Sequence, residues 1–365
     1  MFYVHRPEVP AAKREIFDRL LSTDRVSTYI LGRNKYAESV DGVIAADGFV
    51  DDYTPDREFL GKPVIRMEQL PRESIVVSCV VDARPLTALD RLRGAGIRES
   101  IDYFTLLRLA PDTFRPIERS EFNRRDILDN QEKYQWLHGR LADEASRLTL
   151  ERVTQFRLTW DLECMKGFSV DVDGQYFESF VELGEGEVFV DGGGYDGQTT
   201  RGFVARCPHY KRVYYFEPNP GMMELSRRRL SDLEAVTFIP KGLFSQDGVV
   251  RFDPDAESAS RISPEGSLEI PVVRLDSEVL EAVTFVKLDL EGAESDALEG
   301  AREHIQRDRP KLAVSVYHDQ RDFWRVPEMV LQIEDRYNLY LRHYTEGPLE
   351  TVLYFIPSAL HGSPA

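Results

Sequence analysis

The chain has 365 residues, of which 42% are hydrophobic and 30% charged, and its formal net charge is −17. That length accommodates two domains with cores of their own, and the acidic balance excludes non-specific nucleic-acid binding, which needs clustered Lys and Arg to neutralise phosphates. No apolar run approaches the roughly 20 residues of a membrane span, the segment from Met1 to Glu8 has no signal-peptide core, and the scattered Cys79, Cys164 and Cys207 suit free thiols in a reducing cytoplasm better than disulfides or a zinc site.

Residues 1–110 read as a small α/β domain. The pattern predicts a helix from Pro10 to Ser22, strands at Ser27–Gly32, Gly48–Asp52 and Ser74–Val81, a short strand from Gly61 to Val64, and a helix from Pro85 to Gly94. Strands alternating with helices imply a parallel sheet. Residues 111–170 turn polar. Asn123 to Leu150 reads as helix, with Leu128, Tyr134, Leu137 and Leu141 at helical spacing. This stretch is a helical connector that offers a surface for a homodimer.

Residues 171–365 form a second α/β domain, entered through a loop or short hairpin at Gly167–Phe180. Its strands are expected at Val188–Asp191, Arg212–Phe216, Val236–Pro240, Phe285–Leu290 and Leu312–Tyr317, with an inserted β pair at Val249–Phe252 and Ile270–Leu275. Leu339–Tyr344 and Thr351–Ile356 make a closing antiparallel hairpin, and helices fill Gly197–Arg206, Gly221–Leu230, Ser295–Glu303 and Pro327–Arg336.

The most informative run is Val188-Phe-Val-Asp-Gly-Gly-Gly-Tyr-Asp-Gly197, followed by Tyr214-Tyr-Phe-Glu-Pro-Asn219. Two apolar strands each end in an acid, and a glycine turn follows the first. Open α/β sheets build nucleoside-cofactor sites at such strand ends. Gly192, Gly194 and Gly197 satisfy G-x-G-x-x-G, a weak pattern by itself. A dinucleotide needs its pyrophosphate against backbone N–H groups at a helix N-terminus, where Asp191 is an awkward neighbour. S-adenosylmethionine has no phosphate, and its sulfonium and ammonium are favoured by acids. Glu217 suits the two ribose hydroxyls of either cofactor. The competing reading of Asp191 is a strand-end acid capping the next helix.

A second constellation, Val286-Lys-Leu-Asp-Leu-Glu-Gly-Ala-Glu294, runs from a buried strand into a helix and gathers Asp289, Glu291 and Glu294. Taken in order, Asp191-Gly-Gly-Gly-Tyr-Asp-Gly197, Phe216-Glu-Pro-Asn-Pro220, Arg274-Leu-Asp276 and Lys287-Leu-Asp-Leu-Glu-Gly-Ala-Glu294 resemble the motifs of the FkbM family of S-adenosylmethionine-dependent methyltransferases. The resemblance covers roughly residues 175–357. It implies a class I methyltransferase fold, a doubly wound Rossmann-like sheet, and O-methylation of a hydroxyl on a small molecule, sugar or glycan. Carried over, Asp191, Gly192 and Gly194 would line the methionine part of the cofactor, Glu217 would hold the ribose, and Gly242 and Leu243 would lie near the adenine. The sequence departs from the family at Gly193-Gly194-Tyr195, where many members have Ala-Asn-Ile or a similar triplet. A polar contact to the cofactor would then come from Asp196 or Gln198.

Methyl transfer is an in-line displacement that also requires removal of the acceptor proton. His318, in Val316-Tyr-His-Asp319, and Asp289 are the candidate bases, because both sit at strand ends on the cofactor side and a histidine titrates near neutrality. The bland reading of His318 is a strand-end histidine bonded to a loop. Asp289, Glu291 and His318 could also offer ligands to Mg²⁺ or Mn²⁺. Glu291 and Glu294 are read instead as helix caps, no metal is expected, and methylation is expected to survive EDTA.

Tyr176 and Phe177, Glu291, Tyr317, Phe323 and Trp324 are candidate substrate contacts, as are Arg261 and Arg274 for an anionic or sugar acceptor. In the first domain, Leu31-Gly-Arg-Asn-Lys-Tyr-Ala37, Gly48-Phe-Val-Asp-Asp52 and Gly61-Lys-Pro-Val64 resemble the N-terminal Rossmann-like domains that accompany sugar-modifying enzymes. Gly32 with Asp51 or Asp52 could place a nucleotide there. A scaffold is the favoured reading, because one glycine leaves little room for a pyrophosphate. A noncatalytic cofactor-binding protein and a nicotinamide-dependent oxidoreductase are the alternatives for the whole chain.

Overall fold

The computed structural model describes residues 7–22, 26–118, 120–253, 261–262 and 268–358. The chain divides into two compact units. One comprises residues 1–131, 150–170 and 344–349, and the other 132–149, 171–343 and 350–365.

In the first unit, α1 (Ala11–Leu20), β1 (Thr28–Leu31), α2 (Lys35–Ile44), β2 (Gly48–Val50), β3 (Glu58–Phe59), β4 (Lys62–Ile65), β5 (Ile75–Ser78), α3 (Pro85–Gly94), β6 (Glu99–Asp102) and α4 (Tyr103–Leu109) follow in chain order. The strand order is β3-β4-β2-β1-β5-β6. Only the β3–β4 pairing is antiparallel. Strand β5 is buried at all its positions, as a parallel strand covered on both faces must be. The start of α2 is fixed by Asn34, whose side chain accepts from Tyr36 N and Ala37 N, and Tyr36, Ala37 and Val40 then turn inward.

The helix expected over Asn123–Leu150 is broken into three: α5 (Ser120–Asp129), α6 (Gln131–Arg140) and α7 (Glu144–Thr159). Local bonds outcompete a continuous helix. The Asn130 side chain folds back on Asp126 O and Oδ1. Leu141 bridges Leu339, Ala142 N donates to Leu339 O, and Asp143 Oδ1 accepts from Ser146 N at 2.7 Å.

The second unit holds β7 (Val188–Gly192), α8 (Gln198–Arg206), β8 (Arg212–Phe216), α9 (Pro220–Arg229) and β9 (Val236–Ile239). Then come β10 (Gly242–Leu243), β11 (Gly248–Asp253), β12 (Arg261–Ile262), β13 (Leu268–Val273) and α10 (Leu275–Glu278). The remainder is β14 (Phe285–Leu288), α11 (Glu294–Glu299), α12 (Arg302–Asp308), β15 (Lys311–Ser315), α13 (Asp322–Ile333), β16 (Tyr337–His343) and β17 (Thr351–Pro357). The expected inserted β pair is β11 and β13, paired antiparallel, within a four-stranded sheet that also takes in β10 and β12.

The main sheet runs β16-β17-β15-β14-β7-β8-β9. Only β17 runs against its neighbours. The chain winds outward from β7 through β8 to β9, then returns on the other side of β7 as β14. The order therefore reverses between β7 and β14, where Gly192 pairs in register with Leu288. Doubly wound sheets bind ligands outside the carboxyl ends of the strands at such a reversal.

Candidate active site

The glycine turn leaves β7 between two obstacles. A Cβ on Gly193 (φ +71°) would lie 1.9 Å from Asp289 O, and one on Gly194 would lie 2.1 Å from the Tyr215 ring. Only glycine fits both positions. The turn's amides are committed internally. Gly193 N and Gly194 N both donate to Phe216 O at 3.0 Å, and Gly197 N donates to Gly194 O. Tyr195 N donates to Glu217 Oε2 at 2.9 Å and Gln198 N to Asp196 Oδ1.

Asp191 is fully buried. Its Oδ2 accepts from Thr200 Oγ1 at 2.7 Å, and its Oδ1 lies 3.2 Å from Lys287 Nζ. The acid therefore sits behind the turn, fastening β7 to α8 and β14. Lys287 was assigned no role from sequence. From β14 its ammonium donates to Gly192 O at 3.1 Å and Gly193 O at 2.6 Å, which pins the turn from below.

Glu217 follows β8, and its Oε1 accepts from Asn219 N at 2.8 Å. Each of its oxygens thus takes one backbone N–H and keeps a second acceptor position. Burial pushes its carboxyl up, against the pull of those two N–H groups. Leu243 is buried, a Cβ on Gly192 would lie 3.0 Å from its Cδ1, and Gly242 sits against Pro218 and Val272. The structure thus gathers Gly192, Gly194, Glu217, Gly242 and Leu243 around one turn. Gln198 is exposed at the start of α8.

On the other side of the reversal, the ends of β14 and β15 and the start of β17 converge. Tyr176 OH donates to Asp289 Oδ2 at 2.9 Å, and Tyr317 OH reaches both Asp289 Oδ1 at 3.3 Å and Glu350 Oε1 at 3.1 Å. Gln175 Nε2 donates to Glu350 Oε2 at 2.7 Å. Burial next to these carboxylates drives both tyrosine hydroxyls well above their ordinary range, so they serve as donors. Burial and the Asp289 charge also raise Glu350. Asp289 goes the other way. Burial opposes its charge, but Lys287 and His318 outweigh that and hold its carboxyl down. Glu350 was missed from sequence. Its backbone lies at φ +65°, as Tyr176, Tyr195 and Glu291 lie at +72°, +51° and +54°. Strained positions of this kind collect at functional sites.

His318 is buried, and its Nδ1 lies 2.8 Å from Glu294 Oε1. Its Nε2 faces Asp289 Oδ1 at 3.7 Å and Glu291 Oε2 at 3.4 Å. Desolvation would lower its pKa, but Glu294, Asp289 and Glu291 together push it up to about 10. Three carboxylates around the ring thus favour its charged form.

The other candidates make further contacts. Phe323 is a core residue stacked on Tyr134, and the Trp324 ring carries the Lys133 ammonium at 3.3 Å. Phe177 packs against Gly202 and Phe285. Arg274 pairs with Asp276, which itself accepts from Glu303 N and His304 N at the start of α12, so this motif staples helices. The Arg261 side chain lies outside the described residues.

In the first unit, Asp51 pairs with Arg33, and Asp52 with Arg91. Gly32 N donates to Val50 O, and Asn34 caps α2. At α3, Glu346 accepts from Thr87 N and Oγ1, while Gly347 packs against Asp82 O. The polar groups that would receive a nucleotide are thus engaged by the chain itself.

Residues 191–344 match the profile of the methyltransferase FkbM domain. The crystal structure of a methyltransferase FkbM from Methylobacillus flagellatus KT superposes over 95% of this chain and 94% of its own, with a TM-score of 0.71 and 25% identity. An rRNA methylase from Streptococcus thermophilus covers 48% of this chain and 89% of its own (20% identity, TM-score 0.33). Aeropyrum pernix fibrillarin with bound S-adenosyl-L-methionine covers 48% and 70% (13% identity, TM-score 0.32). No curated protein matches the sequence.

Proposed function

Residues 191–344 form a methyltransferase FkbM domain on a class I methyltransferase sheet, and from that premise we propose S-adenosylmethionine-dependent methyl transfer to a hydroxyl of a small molecule, sugar or glycan. One observation carries the cofactor assignment. The amides of Gly193, Gly194, Tyr195, Gly197 and Gln198 all have acceptors within the protein. A pyrophosphate needs such N–H groups, whereas a phosphate-free cofactor does not. Glu217 would accept the ribose hydroxyls on its remaining lone pairs. Gly192 and Gly194 would leave room for the methionine part, and Gly242 and Leu243 would border the adenine. S-adenosylmethionine supplies a methyl group on a sulfonium.

The chain's own residues would place the acceptor and take its proton. For that task we propose Asp289 and Glu350, bridged by Tyr317, with His318 beside them and the raised Glu350 the stronger base of the two carboxylates. Tyr176 and Tyr317 would orient the acceptor oxygen. In the first unit, the engaged Asp51, Asp52 and α3 terminus support the scaffold reading.

The test is calorimetry and thermal shift with S-adenosylmethionine, S-adenosylhomocysteine, NAD and NADP. Binding of the first two, abolished in Glu217→Ala, is expected. Stabilisation by NAD alone, or by none of the four, overturns the reading. Mass spectrometry of candidate hydroxylated acceptors, read as the gain of one CH₂, then identifies the substrate.

A further inference from the structure

We propose that His318, Asp289 and Glu291 form a binding site for a divalent cation of the Mn²⁺ class, with Glu294 orienting the imidazole. The site stands on side-chain geometry. His318 Nε2 is buried and has no hydrogen-bond partner, although two carboxylate oxygens face it at 3.4 Å and 3.7 Å. Those separations are long for hydrogen bonds. They are close to the roughly 3.0–3.4 Å between neighbouring donors around one ion with metal–ligand lengths of about 2.0–2.1 Å. Ligand atoms of Asp289, Glu294 and His318 all lie within 4.8 Å of one another, and Glu291 joins this group through its approach to His318 Nε2 at 3.4 Å.

The arrangement around the imidazole has the form that metal-binding histidines take. Glu294 Oε1 receives Nδ1 at 2.8 Å and is itself anchored by Leu290 N at 2.7 Å. A carboxylate on the far ring nitrogen fixes the tautomer and aims Nε2 outward. Glu294 Oε2 is likewise buried without a hydrogen-bond partner. Positive φ at Glu291 (+54°) and Gly292 (+102°) turns the chain where the Glu291 carboxylate meets His318.

One imidazole with two carboxylates suits a first-row ion that also accepts hard oxygen ligands, which describes Mn²⁺. The Asp322 and Glu350 carboxyls also border the cluster, and Lys287 is the nearby cation. A divalent ion would offset this surplus of carboxylates. If the methyl-transfer reading holds, on which this role rests, the ion would also bind the acceptor oxygen and ease its deprotonation.

The full chain, stripped with EDTA and dialysed, is titrated with MnCl₂ while free Mn²⁺ is read by electron paramagnetic resonance, with no cofactor or acceptor present. Saturable binding at micromolar Mn²⁺ is expected. It should weaken by at least about tenfold in Glu291→Gln and vanish in His318→Ala. Wild type that binds no Mn²⁺ below millimolar concentration overturns the site, as does binding unchanged in both variants. Should His318→Ala lose its circular-dichroism signature, Glu291→Gln decides alone, since Glu291 has a half-exposed side chain. S-adenosylmethionine binding to wild type in EDTA is measured separately, so either reading can fail without the other.

Discussion

Replacing Lys287 by methionine keeps the length of the side chain and removes its charge. The side chain is 3% exposed and faces an Asp191 carboxylate that is 0% exposed. Two donations, to Gly192 O and Gly193 O, disappear with it. Hydrogen bonds from a charged donor contribute roughly 1.5–3 kcal/mol each, but these are not additive with the loss that dominates. Asp191 would keep Thr200 and otherwise become a buried charge without a partner, at a cost of about 3–5 kcal/mol. With a urea slope of about 3 kcal/mol per molar, the midpoint should fall by about 1–1.7 M. The double variant Asp191→Asn, Lys287→Met removes the stranded charge and should recover about half of the loss. Urea unfolding of the full chain, followed by circular dichroism, measures both. A midpoint within about 0.3 M of wild type for Lys287→Met, or a double variant no better than the single, would refute this account of the turn.

Three further outcomes follow from particular contacts. Gly193→Ala forces a Cβ against Asp289 O and an unfavourable φ, so it should cost at least about 2 kcal/mol and abolish the thermal shift with S-adenosylmethionine; a neutral substitution would show that the turn yields. Burial pushes the Asp308 carboxyl up, but Arg307, His304 and Val283 N outweigh it and hold it at about 2. A depressed carboxyl stabilises the fold above its unfolded value near 3.8, and that contribution is lost as pH falls through about 2. Asp308→Asn should therefore cost about 2 kcal/mol at pH 7 and progressively less from pH 4 downward, and a pH-independent difference between the unfolding curves would contradict the assignment. Glu346→Ala removes the acceptor for Thr87 N and Oγ1 at the start of α3 and should cost about 1–2 kcal/mol. An unchanged urea midpoint would show that this carboxylate does not hold α3.

What could be read from the sequence was whatever is local. Strand, acid, glycine turn and helix at 188–206 are successive in the chain, so their order alone announces them, and β7, α8, β8 and α9 lie within a residue or two of expectation. The closing hairpin β16–β17 was legible for the same reason. Glu350 was not, because it joins Gln175, Tyr317 and Asp289 only once β14, β15 and β17 are side by side. Lys287 looked like one polar residue in an apolar strand, and its task appears only when β14 lies beside β7. The three-way break of the helix expected over Asn123–Leu150 was hidden because Leu141 and Ala142 find their partners at Leu339, far along the chain.

The acids of this chain divide by neighbourhood, and the division changes what each argues for. Asp191, which first pointed toward a sulfonium cofactor, is opposed by Lys287 and spent on Thr200 behind the turn. Glu217 is held by two backbone amides and is the carboxylate we propose for a ribose. Asp289, Glu291, Glu294 and Glu350 gather on the β14, β15 and β17 side, around His318 and the tyrosines. In the proposed division, the acidic segment 287–294 serves the acceptor and the cation rather than the cofactor. The proposed cofactor choice rests instead on the amides of Gly193, Gly194, Tyr195, Gly197 and Gln198, each of which has an acceptor within the protein. The two halves of the site are accordingly separable. Glu217→Ala should remove cofactor binding and leave the Mn²⁺ titration intact. Glu291→Gln should weaken Mn²⁺ and leave the thermal shift with S-adenosylhomocysteine in place. If either substitution abolished both signals in a folded protein, the two clusters would act as one site, and this division of the carboxylates would be wrong.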